Sequence, residues 1–259
     1  MKATPYVGIT GFKTKEEILS VAPMFPKHGF DSESSHIPML GFLVSYKRLA
    51  DKTMPGKRSP VANDLGMLLS YVPARVLPMM HYYTINKPEL AEEVKNLYSI
   101  SNMYGSGLCC SLQINMDWPP IEQVKKILQE FPDMIIVLQL PPKTTQGLSL
   151  EQIAKRAKEY DSLVKYTLID PSRGEGIGFD VKYSTELMLA LNEVMPTTRI
   201  GIAGGLAADN VKEKILLILK DYNEDFCIDA QGRLRTENGK ALDYEKARAY
   251  IKASAKALL

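Results

Sequence analysis

At 259 residues, with 45% hydrophobic and 24% charged residues and no low-complexity tract, the chain is long enough for one sizeable core, and its composition excludes a disordered or fibrous protein. Its 32 Lys and Arg are interspersed among 30 Asp and Glu for a net charge of +2, a balance that points to no nucleic acid and no anionic membrane surface. No apolar run approaches the roughly 18 residues of a membrane span, and MKATPYVGITG lacks the apolar core and cleavage site of a secretory signal, so a cytoplasmic protein is expected. Cys109 and Cys110 are neighbours and Cys227 stands alone, which predicts neither a disulfide nor a zinc site. Free cysteines are mostly small buried hydrophobes, and a reactive thiol at Cys227 is the lesser reading.

Tyr6 to Gly11 reads as a first strand, and Thr14 to Glu17 as a capping box ahead of Ile18, Leu19, Val21 and Ala22. An irregular stretch, 23 to 36, precedes a second strand over Met39 to Ser45. The polar loop 46 to 60 then carries Lys47, Arg48, Lys52, Lys57 and Arg58 toward a helix near Val61 to Tyr71. A third strand covers Arg75 to Tyr83, with Pro78 predicting a bulge or irregular pairing. Pro88 opens a helix to about Met103, Leu108 to Asn115 is a fourth strand, and Pro119-Pro120 opens a helix with Ile121, Val124, Ile127 and Leu128 on one face. Met134 to Leu140 is a fifth strand, apolar on both faces, followed by a helix from Ser149 to Tyr160. Tyr166 to Asp170 is a sixth strand, ending in PSRGEGIGF before a helix from Asp180 to Val194. In RIGIAGGLAADN, Arg199 to Asn210, a seventh strand runs into Gly204-Gly205, with Asp209 as N-cap of a helix to Leu219. Phe226 to Ala230 makes the eighth strand, and Asp243 to Leu258 the last helix. Eight strands alternating with eight helices, with no linker between them, predict a single (β/α)8 barrel over residues 1 to 259.

Such barrels place their chemistry at the carboxyl ends of the strands and bind phosphate near strands 7 and 8. The candidates there are Thr10, Lys47 or Arg48, His81, Asn115, Gln139, Asp170, Gly204-Gly205 and Asp229 to Gly232. The glycine turns after strands 7 and 8 suit a phosphate, because amides without a Cβ approach an anion closely, although an ordinary tight turn has the same residues. Asp170, ending an apolar strand before a glycine loop able to close over it, suits a general acid or base with a raised pKa, or else caps its turn. His81 is a proton exchanger or a hydrogen-bonded wall residue. Arg58 or Arg48 either holds an acidic substrate group or is simply solvated.

These motifs resemble the phosphoribosylanthranilate isomerase family. YVGITGFKTKEEI is similar to its first strand and helix, LQINMDWPP to its fourth strand, TLIDPSRGEGIGFD to its sixth strand and mobile loop, GIAGGLAADNV to its seventh, and GKALDYEKARAYI to its last helix. The segments 23 to 36 and 46 to 60 look like expansions. The resemblance implies a ribulose-phosphate-binding type of TIM barrel, in which an N-linked aldose phosphate becomes an amino-ketose phosphate in tryptophan biosynthesis. It puts Asp170 in the place of the acid that opens the furanose ring, and Gly204, Gly205, Gln231 and Gly232 at the phosphate.

The family's base, a cysteine before glycine, is replaced by Thr10, whose hydroxyl needs a neighbour to take its proton. Asp229 or His81 is the candidate replacement, with Thr10 otherwise only orienting water. The family's histidine on the fourth strand appears as Asn115, and its carboxylate-binding arginine has Arg58 as possible counterpart.

The first functional expectation is therefore an isomerase of that kind on a phosphorylated sugar, needing no metal and no organic cofactor, as monomer or homodimer. The alternatives are an isomerase, lyase or epimerase acting on a different sugar phosphate, and a catalytically silent barrel that binds a phosphorylated ligand or a partner protein.

Overall fold

The computed structural model describes residues 2–171 and 180–259. The glycine-rich loop expected to close over Asp170 falls on 172–179 and lies outside the described residues. Eight parallel strands close into a barrel in chain order: β1 Tyr6–Thr10, β2 Ile37–Ser45, β3 Leu77–Tyr83, β4 Ser111–Asn115, β5 Ile135–Leu140, β6 Tyr166–Ile169, β7 Arg199–Ala203 and β8 Cys227–Ala230, which pairs back onto β1. The helices around it are α1 Lys15–Val21, α2 Met24–Lys27, α3 Tyr46–Ala50, α4 Leu65–Leu69, α5 Leu90–Ser99, α6 Ile121–Glu130, α7 Pro142–Thr145, α8 Leu150–Ala157, α9 Val181–Val194, α10 Val211–Ile218 and α11 Tyr244–Leu258.

Period-two alternation sets what each strand offers. On β1, Val7 and Ile9 face outward into the apolar layer shared with Phe12, Ile18 and Ile251, while Tyr6 and Thr10 face the barrel axis. Tyr6, Met39, Met79, Val137, Tyr166, Leu168 and Cys227 fill the floor at the amino ends of the strands. Cys227 is 1% exposed, Tyr6 N–H donates to its sulfur at 3.4 Å, and burial pushes its thiol pKa up. It is a packing residue, not a reactive thiol.

Several expectations change locally. The segment 23 to 36 contains α2, and the loop 46 to 60 begins as α3. Pro78 produces no bulge: β3 keeps continuous register with β2, Pro78 lying beside Leu40 and His81 beside Leu43. The capping box at Thr14 is half formed. Thr14 Oγ1 accepts from Glu17 N–H at 3.2 Å, but the Glu17 carboxylate takes Lys13 N–H at 2.6 Å and Leu242 N–H at 2.9 Å, tying the loop after β1 to the segment before α11. A tertiary partner has displaced the local one. Asp209 is not the N-cap of α10, which is Asn210; Asp209 instead pairs with Arg233 at 2.6 Å.

Candidate active site

Above the apolar floor, the barrel interior turns polar at the carboxyl ends of the strands. Thr10, His81, Gln113, Gln139, Asp170 and Asp229 are all buried there. The end of β1 is the most tightly connected part. Thr10 Oγ1 lies 3.0 and 2.9 Å from the two oxygens of Asp229 on β8, and 3.3 Å from His81 Nε2 on β3. The hydroxyl has one proton to give, and the carboxylate is its acceptor. Gly41 on β2 makes the cluster possible, since a Cβ there would stand 2.4 Å from Thr10 Oγ1 and 2.8 Å from His81 Nε2.

Burial differentiates the two titratable partners of Thr10. Desolvation raises the Asp229 pKa to about 7; the Thr10 hydrogen bond opposes the rise and the charge of Asp170 adds to it. Desolvation lowers His81 to about 3, so its imidazole is neutral at physiological pH. Of the two readings of His81, the hydrogen-bonded wall residue is the one this geometry fits. Asp170, 4% exposed, accepts from Gln139 Nε2 at 2.8 Å through Oδ2, and its own N–H is bound by Leu140 O at 3.2 Å. Two carboxylates from β6 and β8 thus face the same mouth, close enough for the charge of one to raise the pKa of the other.

The turn after β7 needs its glycines: Gly204 and Gly205 have φ of 99° and 63°, where a Cβ is penalised. Asn210 braces this turn, accepting from Ala207 N–H and donating to Gly205 O, both at 2.9 Å. Arg233, on the short helical turn Gly232–Leu234 that follows Gln231, donates to Gly205 O at 3.3 Å as well as to Asp209. The turns after β7 and β8 are therefore one connected unit.

The remaining candidates stand around this centre. Arg58 borders a cavity of about 130 Å³ with Ser59, His81 and Tyr83. Asn115, at the end of β4, accepts from Gln113 Nε2 at 2.8 Å and faces a cavity of about 440 Å³ over β3, β4 and β5. Lys47 and Arg48 sit on α3. Sequence reading missed Arg235, which is 3% exposed and donates through Nη2 to Thr10 O; its Nε and Nη1 have no partner among the described residues. Burial lowers its pKa to about 10, which leaves it charged at neutral pH. The spacing Arg233-Leu-Arg235 gave no signal for this, since positions two apart share a side in extended chain; the helical turn Gly232–Leu234 parts them, leaving Arg233 on Asp209 and Arg235 on Thr10 O.

Among the described residues no group of three His, Cys, Asp or Glu is placed to hold a metal ion, and no helix is long and apolar enough to cross a membrane. No family model and no curated protein matches the chain. Solved structures do. Phosphoribosylanthranilate isomerase from Thermus thermophilus is 17% identical, with 99% of each chain covered and a TM-score of 0.65. The enzyme from Thermotoga maritima is 17% identical over 97% of this chain and 99% of its own, with a TM-score of 0.64. A phosphoribosylanthranilate isomerase in complex with reduced 1-(o-carboxyphenylamino)-1-deoxyribulose 5-phosphate is likewise 17% identical over 97% and 99%, with a TM-score of 0.62. The chain thus has the (β/α)8 barrel fold of the phosphoribosylanthranilate isomerase structures, at a sequence distance where the fold is what is shared.

Proposed function

We propose that this protein is an isomerase of the phosphoribosylanthranilate isomerase kind, converting an N-linked aldose phosphate into an amino-ketose phosphate. The observation that carries the reading is the pairing of Thr10 with Asp229, whose pKa lies at about 7. A general base works best with a pKa near the operating pH, and burial has brought an ordinary carboxyl there. The resemblance places a cysteine base at the end of the first strand; here Asp229 takes over the proton transfer and Thr10 orients it.

In this mechanism Asp170 and Asp229 act as a coupled pair holding one proton between them; Asp170 delivers it to the furanose ring oxygen as the bond from that oxygen to C1 breaks, leaving an iminium between C1 and the amine nitrogen. Asp229, ionised, removes the proton from C2, and the electron pair of that C–H bond moves to neutralise the iminium as an enamine. The enol so formed tautomerises to the ketone. Gln139 holds the Asp170 carboxyl in place at 2.8 Å, and the turns at Gly204-Gly205 and Gln231-Gly232 receive the phosphate through backbone amides.

Turnover of freshly generated phosphoribosylanthranilate, followed as fluorescence loss, tests the reading. A rate of about 1 to 10³ per second, abolished in Asp170→Asn, supports it. If the wild type turns over no faster than the variant, the function is not this isomerisation. Retained binding of ribose 5-phosphate would then favour a different sugar phosphate as substrate, or a silent binding barrel.

A further inference from the structure

Between β8 and α11 the chain folds back on itself as a small antiparallel hairpin. Arg235 bridges Leu242, Thr236 N–H donates to Ala241 O at 3.0 Å and Asp243 N–H to Leu234 O at 2.9 Å, and Gly239, at a φ of 66°, makes the turn. From α11, Lys246 Nζ donates to Arg235 O at 2.8 Å. The hairpin thereby delivers a buried guanidinium over the end of β1, where Arg235 Nη2 donates to Thr10 O. Gly11 leaves room for it, since a Cβ there would run into Nη2.

Burying a cation with Nε and Nη1 unbonded among the described residues is costly, and a neutral donor would serve Thr10 O as well, so the charge itself calls for a use. The charged groups that act on Arg235 are Glu17 on α1, Arg58 in the loop after β2 and Asp229 on β8. The Glu17 carboxylate is committed to the amides of Lys13 and Leu242. Asp229 is joined to Arg235 through Thr10, whose carbonyl accepts from the guanidinium and whose hydroxyl donates to the carboxylate. Desolvation raises the Asp229 pKa, the Asp170 charge adds to the rise, and the Arg235 charge opposes it. The other titratable neighbours of Asp229, the Tyr6 and Tyr250 phenols and the Cys227 thiol, are pushed up by burial and stay neutral. Asp170 stands at the end of β6, with β7 between it and β8, and Gln139 gives it a neutral donor.

Resting on the isomerase reading, we infer that Arg235 is the positioning residue that divides the roles of the carboxylate pair: held against Thr10, its charge keeps the negative charge of the pair on Asp229 and leaves the shared proton on Asp170. An acid and a base facing one substrate need such an asymmetry, and two buried carboxyls do not have it by themselves.

Isotope-edited NMR of the aspartate carboxyl carbons in the full chain, assigned from Asp170→Asn and Asp229→Asn, reads the proton directly and needs no substrate. In the wild type at pH 8, Asp170 is expected to be protonated and Asp229 ionised; a proton on Asp229, or on neither, overturns the inference whatever the variants do. In Arg235→Gln, which keeps a neutral donor, Asp229 is expected to ionise about one pH unit higher, with the rising limb of kcat/KM following, and Arg235→Lys, which keeps the charge, returns both toward wild type. An unmoved Asp229 titration in Arg235→Gln, or equal displacement in the two variants, makes Arg235 a prop for Thr10 only and overturns the inference. The expected titrations in a protein that does not turn over phosphoribosylanthranilate would leave the charge assignment standing and mark the isomerase reading as the one at fault.

Discussion

Asp229 is asked to be buried and to ionise, and the two demands conflict in a measurable way. Its pKa rises from 3.8 to about 7 on folding, so the native state holds a proton that the unfolded chain has already lost between about pH 4 and 7. Stability on this account is intact below pH 4, falls as pH rises to 7, and carries the full penalty above it. At about 1.4 kcal/mol per pH unit the ceiling is about 4 kcal/mol, so Asp229→Asn should be more stable than wild type at pH 8 and little different at pH 4, as urea unfolding at the two pH values would show. The same variant should lose about 10² to 10⁴ in turnover, the usual worth of a positioned base. Thr10 can be checked independently. Its hydroxyl lowers the Asp229 pKa, so Thr10→Val should move the rising limb of the kcat/KM profile to higher pH, by somewhat under one unit if the hydrogen bond is worth about 1 kcal/mol. An unmoved limb would mean that another group sets it.

At the scale of the element, the β7–α10 turn is held by side chains rather than by its helix cap. Asn210 spends both ends of its amide on Ala207 N–H and Gly205 O, so Asn210→Ala should lower stability by about 1 to 2 kcal/mol and weaken ribose 5-phosphate binding as the glycine turn relaxes. Gly205→Ala, forced to a φ of 63°, should cost about 1 to 2 kcal/mol by itself. Asp209→Ala is the contrast. It breaks an ion pair whose members are 37% and 65% exposed, and should change melting by little more than the noise of the measurement. This ordering runs against the sequence reading, in which Asp209 was the cap. Both Asp209 and Asn210 have the side chain for the role; Asn210, next to the helix, holds the position but spends its amide on the turn, while Arg233, 24 positions along the chain, holds Asp209.

At the scale of the molecule, closure joins the first strand to the last, and a buried carboxylate secures the joint. Glu17 is 3% exposed and bridges Lys13 N–H and Leu242 N–H, so Glu17→Ala should cost about 2 to 3 kcal/mol in chemical unfolding, far more than an exposed helical glutamate would. The eight strands and their order were legible from sequence alone, because apolar runs broken by glycine, proline and cap residues recur with a spacing that admits little but a closed parallel barrel. Thr10, Asp170 and Asp229 were legible too, as polar residues ending apolar strands. The meaning of those residues was not. Whether Asp229 faced the axis, whether His81 ionised, and which residue Glu17 bonded all depend on groups that are distant in sequence and on exclusion of water, and no local pattern encodes either. Period and propensity act over a few residues and so determine the elements. Desolvation and hydrogen bonding across the closed barrel set the protonation of the site, and these exist only once β8 has met β1.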